Sequence, residues 1–204
     1  MRRVRFSDVS SALRIRPPVS LEIATGRRAG VAFLLRETRD GIEVLFIHRA
    51  EHPGDPWSGQ MGLPGGRSEE HDADLLATAV RETHEEIGID LSREAEMLGR
   101  LDEVQATHRG GPVDLAITPF AFRLGAPEHE LTLSDEVQAF YWLSLDDLLG
   151  PSHRSTLDYP YDGKTLKLPC FRIEGRVIWG LTYRMFTNLA TLLREQLVTT
   201  AAGA

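Results

Sequence analysis

The chain has 204 residues, 42% hydrophobic and 26% charged, with 18 glycines and 11 prolines, a globular usage that excludes collagen-like, low-complexity and wholly disordered chains. A net charge of −7 argues against nucleic acid as partner, so an anionic substrate would need a local cation from Arg, Lys or a metal. Cys170 is the only cysteine, which excludes an intrachain disulfide and a cysteine zinc cage; with no apolar run of the ~20 residues that span a bilayer, the expectation is a cytoplasmic protein with no membrane partner.

The start is rich in arginine (Arg2, Arg3, Arg5, Arg14, Arg16, Arg27, Arg28). Such a start resembles a transit peptide. The simpler reading is a short amphipathic helix, with Phe6, Val9 and Leu13 at helical spacing, that docks on the domain before Pro17 and Pro18 stop it. From Gly30 the run Val31–Leu35 reads as a buried strand, and Ile42–Ile47 as its hairpin partner across Asp40 and Gly41. Residues 50–66, crowded with Gly and Pro, read as loop. A helix is expected from about Asp74 to Ile87, closed by Gly88 in the left-handed conformation. Further strands are expected over 96–105, 114–123, 137–143 and about 167–177, with a short helix from Ser144 and a last helix over 181–197 that turns Leu181, Met185, Leu189 and Leu192 to one face. Strands interleaved with two long helices indicate a mixed α+β or α/β sandwich.

The helix over 74–87 carries charges that local rules disfavour. At 100° per residue Leu76, Ala79, Val80, Thr83 and Ile87 form the core side, while Glu82, Glu85 and Glu86 form a separate stripe about a third of a turn away. Like charges at i,i+3 and i,i+4 repel, and carboxylates in a helix's last turn oppose its dipole. A hard divalent cation would convert the repelling set into ligands; a solvated acidic face is the other reading.

The segment GGRSEEHDADLLATAVRETHEEIGI resembles the signature of the Nudix hydrolases. Its helix half is Arg81, Glu82, Thr83, His84, Glu85, Glu86, Ile87, Gly88, Ile89, departing only in Thr83 at a usually apolar place. Its front half is one residue longer between Gly66 and Arg81, and Asp72 stands where an earlier glutamate is expected. That variation resembles the branch containing coenzyme A pyrophosphatases. The resemblance implies a Nudix-type α/β/α sandwich with a mixed central sheet and the signature helix after a Gly-rich loop. The expected organisation is a single domain over 1–204, with a basic extension over 1–29, a core over 30–150, and C-terminal strands and helix over 151–204.

The resemblance further implies hydrolysis of a diphosphate linkage in a nucleoside diphosphate derivative, dependent on Mg²⁺ or Mn²⁺. Glu82, Glu85 and Glu86 would hold the metals, with the backbone carbonyl of Gly65. Arg81 would orient the glutamates; an ordinary surface pair with Glu85 is its plainer reading. The general base would be a glutamate of the signature helix or an acid of the later stretch containing Asp135 and Glu136, with Glu136 the candidate. Arg49, Trp57 and Gly66 are the substrate-binding candidates, although Trp57 and Trp179 also read as packing residues.

Coenzyme A-type substrates lead. The upstream pattern of that branch is matched by Arg49, Ala50, Gly59 and Pro64–Gly66, but it has Phe46 for Leu, Ile47 for Thr and Leu63 for Phe, a gap after Ala50 one residue longer, and Asp55 in place of an arginine, an acid expected to repel an additional phosphate. The alternatives are an ADP-ribose, NADH or nucleotide-sugar pyrophosphatase, and a non-catalytic nucleotide sensor. A homodimer is left open.

Overall fold

The structure is a computed structural model that describes residues 3–24, 26–55, 57–108, 111–125 and 130–202; Arg2 lies outside them. In chain order its elements are α1 (Phe6–Ala12), β1 (Arg28–Thr38), β2 (Gly41–Arg49), β3 (Met61–Gly62), β4 (Gly65–Arg67), α2 (Leu75–Ile87), α3 (Leu91–Glu94), β5 (Ala95–Arg100), β6 (Val104–His108), β7 (Gly111–Leu124), β8 (Val137–Ser144), α4 (Leu145–Leu149), β9 (Arg154–Tyr161), β10 (Lys164–Ile173), β11 (Arg176–Trp179) and α5 (Gly180–Ala202).

The apolar runs of β1 and β2 are continuous because both of their faces are covered. Val31, Phe33 and Leu35 join one core with Val44 and Phe46, while Ala32 and Leu34 join a second with Leu45 and Ile47. The first core is closed by Phe6 and Val9 of α1, Leu145 and Leu148 of α4, and Met185, Phe186 and Leu189 of α5. The second is closed by Ala79 and Ile87 of α2 and Leu91 of α3. Helices therefore lie on both faces of a mixed sheet ordered β3-β2-β1-β7-β5, with β4 also on β1, β6 on β7 and β8 on β2. The β1–β7 pair is parallel, and the other pairs are antiparallel. This is the expected sandwich, and the N-terminal helix docks as its spacing predicts.

Four expectations change. Residues 50–66 are not all loop: Met61 and Gly62 pair with β2, and Gly65 and Gly66 pair with β1. Glycines mark turns, but they also let one backbone lie close against another. The single strand expected over 96–105 is split into β5 and β6, because the chain turns Glu103 inward between them. Its buried carboxylate accepts from Leu21 N at 2.7 Å, Arg28 at 2.9 Å and Thr118 Oγ1 at 3.0 Å. The strand expected over about 167–177 is a hairpin, turned at Glu174 (φ 48°) and Gly175 (φ 77°). Strand β9 was not foreseen; it carries Pro160 and buries few side chains on either face, so its pattern is weak.

Helix α5 reaches back to the Gly-rich segment. Thr182, in its first turn, donates from a buried hydroxyl to the Met61 carbonyl at 2.9 Å, and Leu181 and Met185 line a cavity there.

Candidate active site

The signature helix starts where the sequence places it. The Asp74 side chain caps it by accepting from Ala77 N at 2.8 Å, and Gly88 ends it at φ 78°. Thr83, the apolar-site departure, is fully buried and satisfies its hydroxyl on the Ala79 carbonyl at 2.7 Å. The glutamate stripe becomes a gradient of burial: the side chains of Glu86, Glu82 and Glu85 are 3%, 17% and 56% exposed. The glycine pair permits this approach. Gly65 has φ 142°, and a Cβ on Gly66 would run into the Glu82 carboxylate.

Asp72 and Arg81 form the tightest part of the arrangement. Arg81 donates from Nε and Nη2 to the two Asp72 oxygens at 3.0 and 3.0 Å, a bidentate pair, while its Nη1 reaches Glu82 at 3.0 Å and Glu85 at 2.9 Å. Asp72 also accepts from Thr78 Oγ1 and from Glu69 N, each at 2.9 Å. The Arg81 hydrogen bonds hold the Asp72 carboxyl far below the usual carboxylate range, and the same pair raises the Arg81 pKa. Nothing in the spacing of Asp72 announces this partnership, since nine residues and a turn separate it from Arg81.

On the opposite side Glu86 Oε2 accepts from Gly65 N at 2.8 Å, and Oε1 lies 3.3 Å from Arg49 Nη1. Arg49 Nη2 donates to Asp55 Oδ2 at 3.1 Å, and Asp55 Oδ1 accepts from Trp57 N at 3.0 Å. Asp55 thus shares the Arg49 guanidinium with Glu86. Arg49 Nε is buried without a hydrogen-bond partner. Glu136 is brought to the site because its carbonyl accepts from Ala50 N at 2.8 Å. Trp179 does not line it but packs against Tyr159, with ring centroids 5.3 Å apart and planes tilted by 42°.

These side chains surround one open cavity of about 620 Å³. Glu82, Glu85, Glu86 and Glu136 line one part of it, with Gly65 and Gly66. Trp57, Leu115, Ile117, Leu181 and Met185, which belong to or pack against the core shared with α5, add an apolar wall. The α5 contribution was not legible in the sequence, where that helix showed only a core face.

Burial pushes the Glu86 carboxyl up to about 8 against the opposing pull of the Gly65 amide and Arg49, and burial also raises Glu82. The folded metal-free protein thus keeps a proton on Glu86 that the unfolded chain releases above about 4.5. That contribution to stability is full below this pH and is lost as pH rises toward about 8. The melting temperature of the metal-free protein is expected to fall across that window. Glu86→Gln should flatten this part of the profile, and an unchanged slope would show that another group titrates.

Among the described residues no three His, Cys, Asp or Glu side chains converge closely enough to hold a metal as they stand. Arg81 lies between Glu82 and Glu85, and Arg49 against Glu86. The donor chemistry nevertheless fits a hard cation: the acids present carboxylate oxygens to one cavity, and burial of Glu86 and Glu82 disfavours their uncompensated charge.

A three-layer sandwich that gathers carboxylates and arginines around an open cavity is suited to hydrolysing charged phosphate anhydrides by electrostatic stabilisation. The model of the NUDIX domain matches residues 26–162, and the chain belongs to the Nudix family: it is a hydrolase acting on phosphorus-containing anhydrides. It is 27% identical over 179 residues to the Nudix hydrolase NudL of Enterobacter sp. (strain 638), covering 86% of this chain and 88% of that one. It is 41% identical over 110 residues to protein C14C4.10c of Schizosaccharomyces pombe, covering 53% of this chain but only 33% of that longer protein. Its fold is similar to that of a C. elegans Ap4A hydrolase in a binary complex, with a TM-score of 0.51 at 18% identity over 87% of this chain and 98% of that one. Nudix hydrolases generally need divalent metal ions. No described helix is long and apolar enough to cross a membrane.

Proposed function

We propose that this Nudix hydrolase cleaves the diphosphate linkage of a nucleoside diphosphate derivative whose second group is a coenzyme A-type arm. The observation that carries this reading is the mixed lining of the cavity: the carboxylates of Glu82, Glu85, Glu86 and Glu136 share it with an apolar wall of Trp57, Leu115, Ile117, Leu181 and Met185, which belong to or pack against the core shared with α5. A second ribose or a sugar would bring hydroxyls that need partners. Those wall side chains themselves offer little hydrogen bonding, and the nearby Thr182 hydroxyl already donates its hydrogen to the Met61 carbonyl. An arm built largely of alkyl and amide groups fits such a wall better.

Glu82, Glu85 and Glu86, with the Gly65 carbonyl, would hold Mg²⁺ or Mn²⁺, which supplies charge neutralisation on the diphosphate and a more acidic water. Arg81, fixed by Asp72, positions Glu82 and Glu85. Glu136, exposed at the cavity rim, is the candidate to accept the proton of the attacking water. Arg49 positions Glu86, while Trp57 offers its ring to the substrate.

The test is hydrolysis by the purified full chain, with Mg²⁺ or Mn²⁺, of coenzyme A, ADP-ribose, NADH, a nucleotide sugar and a diadenosine polyphosphate. The expected result is the highest kcat/KM on coenzyme A and complete loss on exhaustive chelation. Turnover that survives chelation would overturn the metal reading, and a preference for ADP-ribose or the sugar would overturn the reading of the apolar wall.

A further inference from the structure

The cavity is lined by three arginines, Arg49, Arg67 and Arg81, among more acidic groups than that. Two are engaged by the protein itself: Arg81 by Asp72, Glu82 and Glu85, and Arg49 by Asp55 and Glu86. Arg67 differs. Its carbonyl accepts from Arg81 Nη2 at 3.2 Å, but among the described residues its exposed guanidinium has no ion pair or hydrogen bond.

Sheet register fixes the side from which it reaches the cavity. Arg67 of β4 pairs with Ala29 of β1, and Ala29 pairs with Ile117 of β7. Directly paired residues project to the same face, here the face on which Ala29 and Ile117 join the core shared with α5. The preceding residue, Gly66, faces the Glu82 carboxylate instead. Arg67 therefore stands beside the apolar wall, on the other side of its strand from the carboxylate cluster.

An unengaged guanidinium lining an acid-rich cavity is suited to an anion that the carboxylates would otherwise repel. We infer that Arg67 is the cation that receives a phosphate oxygen of the substrate. The inference rests on the reading of a phosphate-bearing substrate but not on the identity of its arm. The oxygen belongs either to the diphosphate itself or to a separate phosphomonoester such as the 3′-phosphate of coenzyme A, and the two sources separate experimentally.

Arg67→Gln in the full chain, assayed with Mg²⁺, is expected to lower kcat/KM by roughly ten- to hundredfold, mainly through KM, the range of a charge-assisted hydrogen bond. An equal loss on coenzyme A, dephospho-coenzyme A and ADP-ribose assigns the contact to the diphosphate. A loss confined to coenzyme A assigns it to the phosphomonoester. In either case the dependence of KM on ionic strength should flatten, Arg67→Lys should recover much of the loss, and the melting temperature should hold because the guanidinium is exposed and unpartnered. Unchanged kcat/KM and salt dependence on every substrate cleaved would overturn the inference. If the wild type cleaves none of the three, the functional reading has failed instead. Calorimetric titration with ADP and with adenosine 3′,5′-bisphosphate then decides Arg67 separately: weaker binding of either by Arg67→Gln supports it, and equal binding of both overturns it.

Discussion

Glu86→Gln is expected to reduce kcat by about a thousandfold while leaving the metal-free protein at least as stable as the wild type above pH 8. The rate loss is the several kcal/mol of transition-state stabilisation that a lost metal carboxylate represents. Stability holds because a side chain only 3% exposed no longer has to carry charge in a site where burial resists it, and because an amide oxygen can still accept from Gly65 N. Glu85→Gln is expected to cost a similar factor in rate for the same reason. Its effect on folding is smaller, since Glu85 is 56% exposed and an exposed i,i+4 pair with Arg81 contributes only about 0.2–0.5 kcal/mol. Activity measured at saturating Mg²⁺ with parallel thermal melts checks both. A Glu86→Gln protein that melts well below the wild type above pH 8 would show that the carboxylate is a structural tie rather than a ligand held ready.

Asp72→Ala is expected to show the opposite pairing of effects, losing stability and activity together. The substitution leaves Arg81, 16% exposed, without its bidentate acceptor and with Glu82 and Glu85 as its remaining hydrogen-bonded carboxylates, while the Thr78 hydroxyl keeps the Asp74 carbonyl at 3.2 Å. Losing charge-assisted hydrogen bonds of this kind costs about 1.5–3 kcal/mol. Freed from Asp72, Arg81 no longer holds Glu82 and Glu85 in place, and kcat should fall about a hundredfold. Because Asp72 acts through Arg81, the double substitution Asp72→Ala with Arg81→Ala should be little worse than Arg81→Ala alone. Additive losses would mean that Asp72 serves the site by some other route. Asp72→Asn, which keeps the Thr78 and Glu69 contacts, should recover stability more than rate.

Much of this was legible in the chain because the signals were local. Alternating and continuous apolar runs place β1, β2 and β7 between two layers of helices, the spacing around Gly88 bounds α2, and three glutamates at i, i+3 and i+4 must share one side of a helix wherever that helix packs. These are consequences of backbone geometry, which each stretch of sequence carries by itself. The resemblance of the same stretch to the Nudix signature named the family before any coordinate, and the domain match agrees.

The remainder depended on chain segments that meet only after folding. Periodicity cannot say which of three equivalent carboxylates is buried; the approach of β4 at Gly65 and Gly66 decides that it is Glu86. It cannot show that Asp55 and Glu86 share Arg49, because the Asp55 pair forms only when the loop after β2 folds back. Nor does the sequence reveal that Asp72 is the partner of Arg81, that Leu181 and Met185 at the chain's far end complete the cavity wall, or that Arg67 alone among its described arginines is left unengaged. Pairwise electrostatics and the walls of a cavity depend on distance through space, and the tertiary structure alone sets those distances.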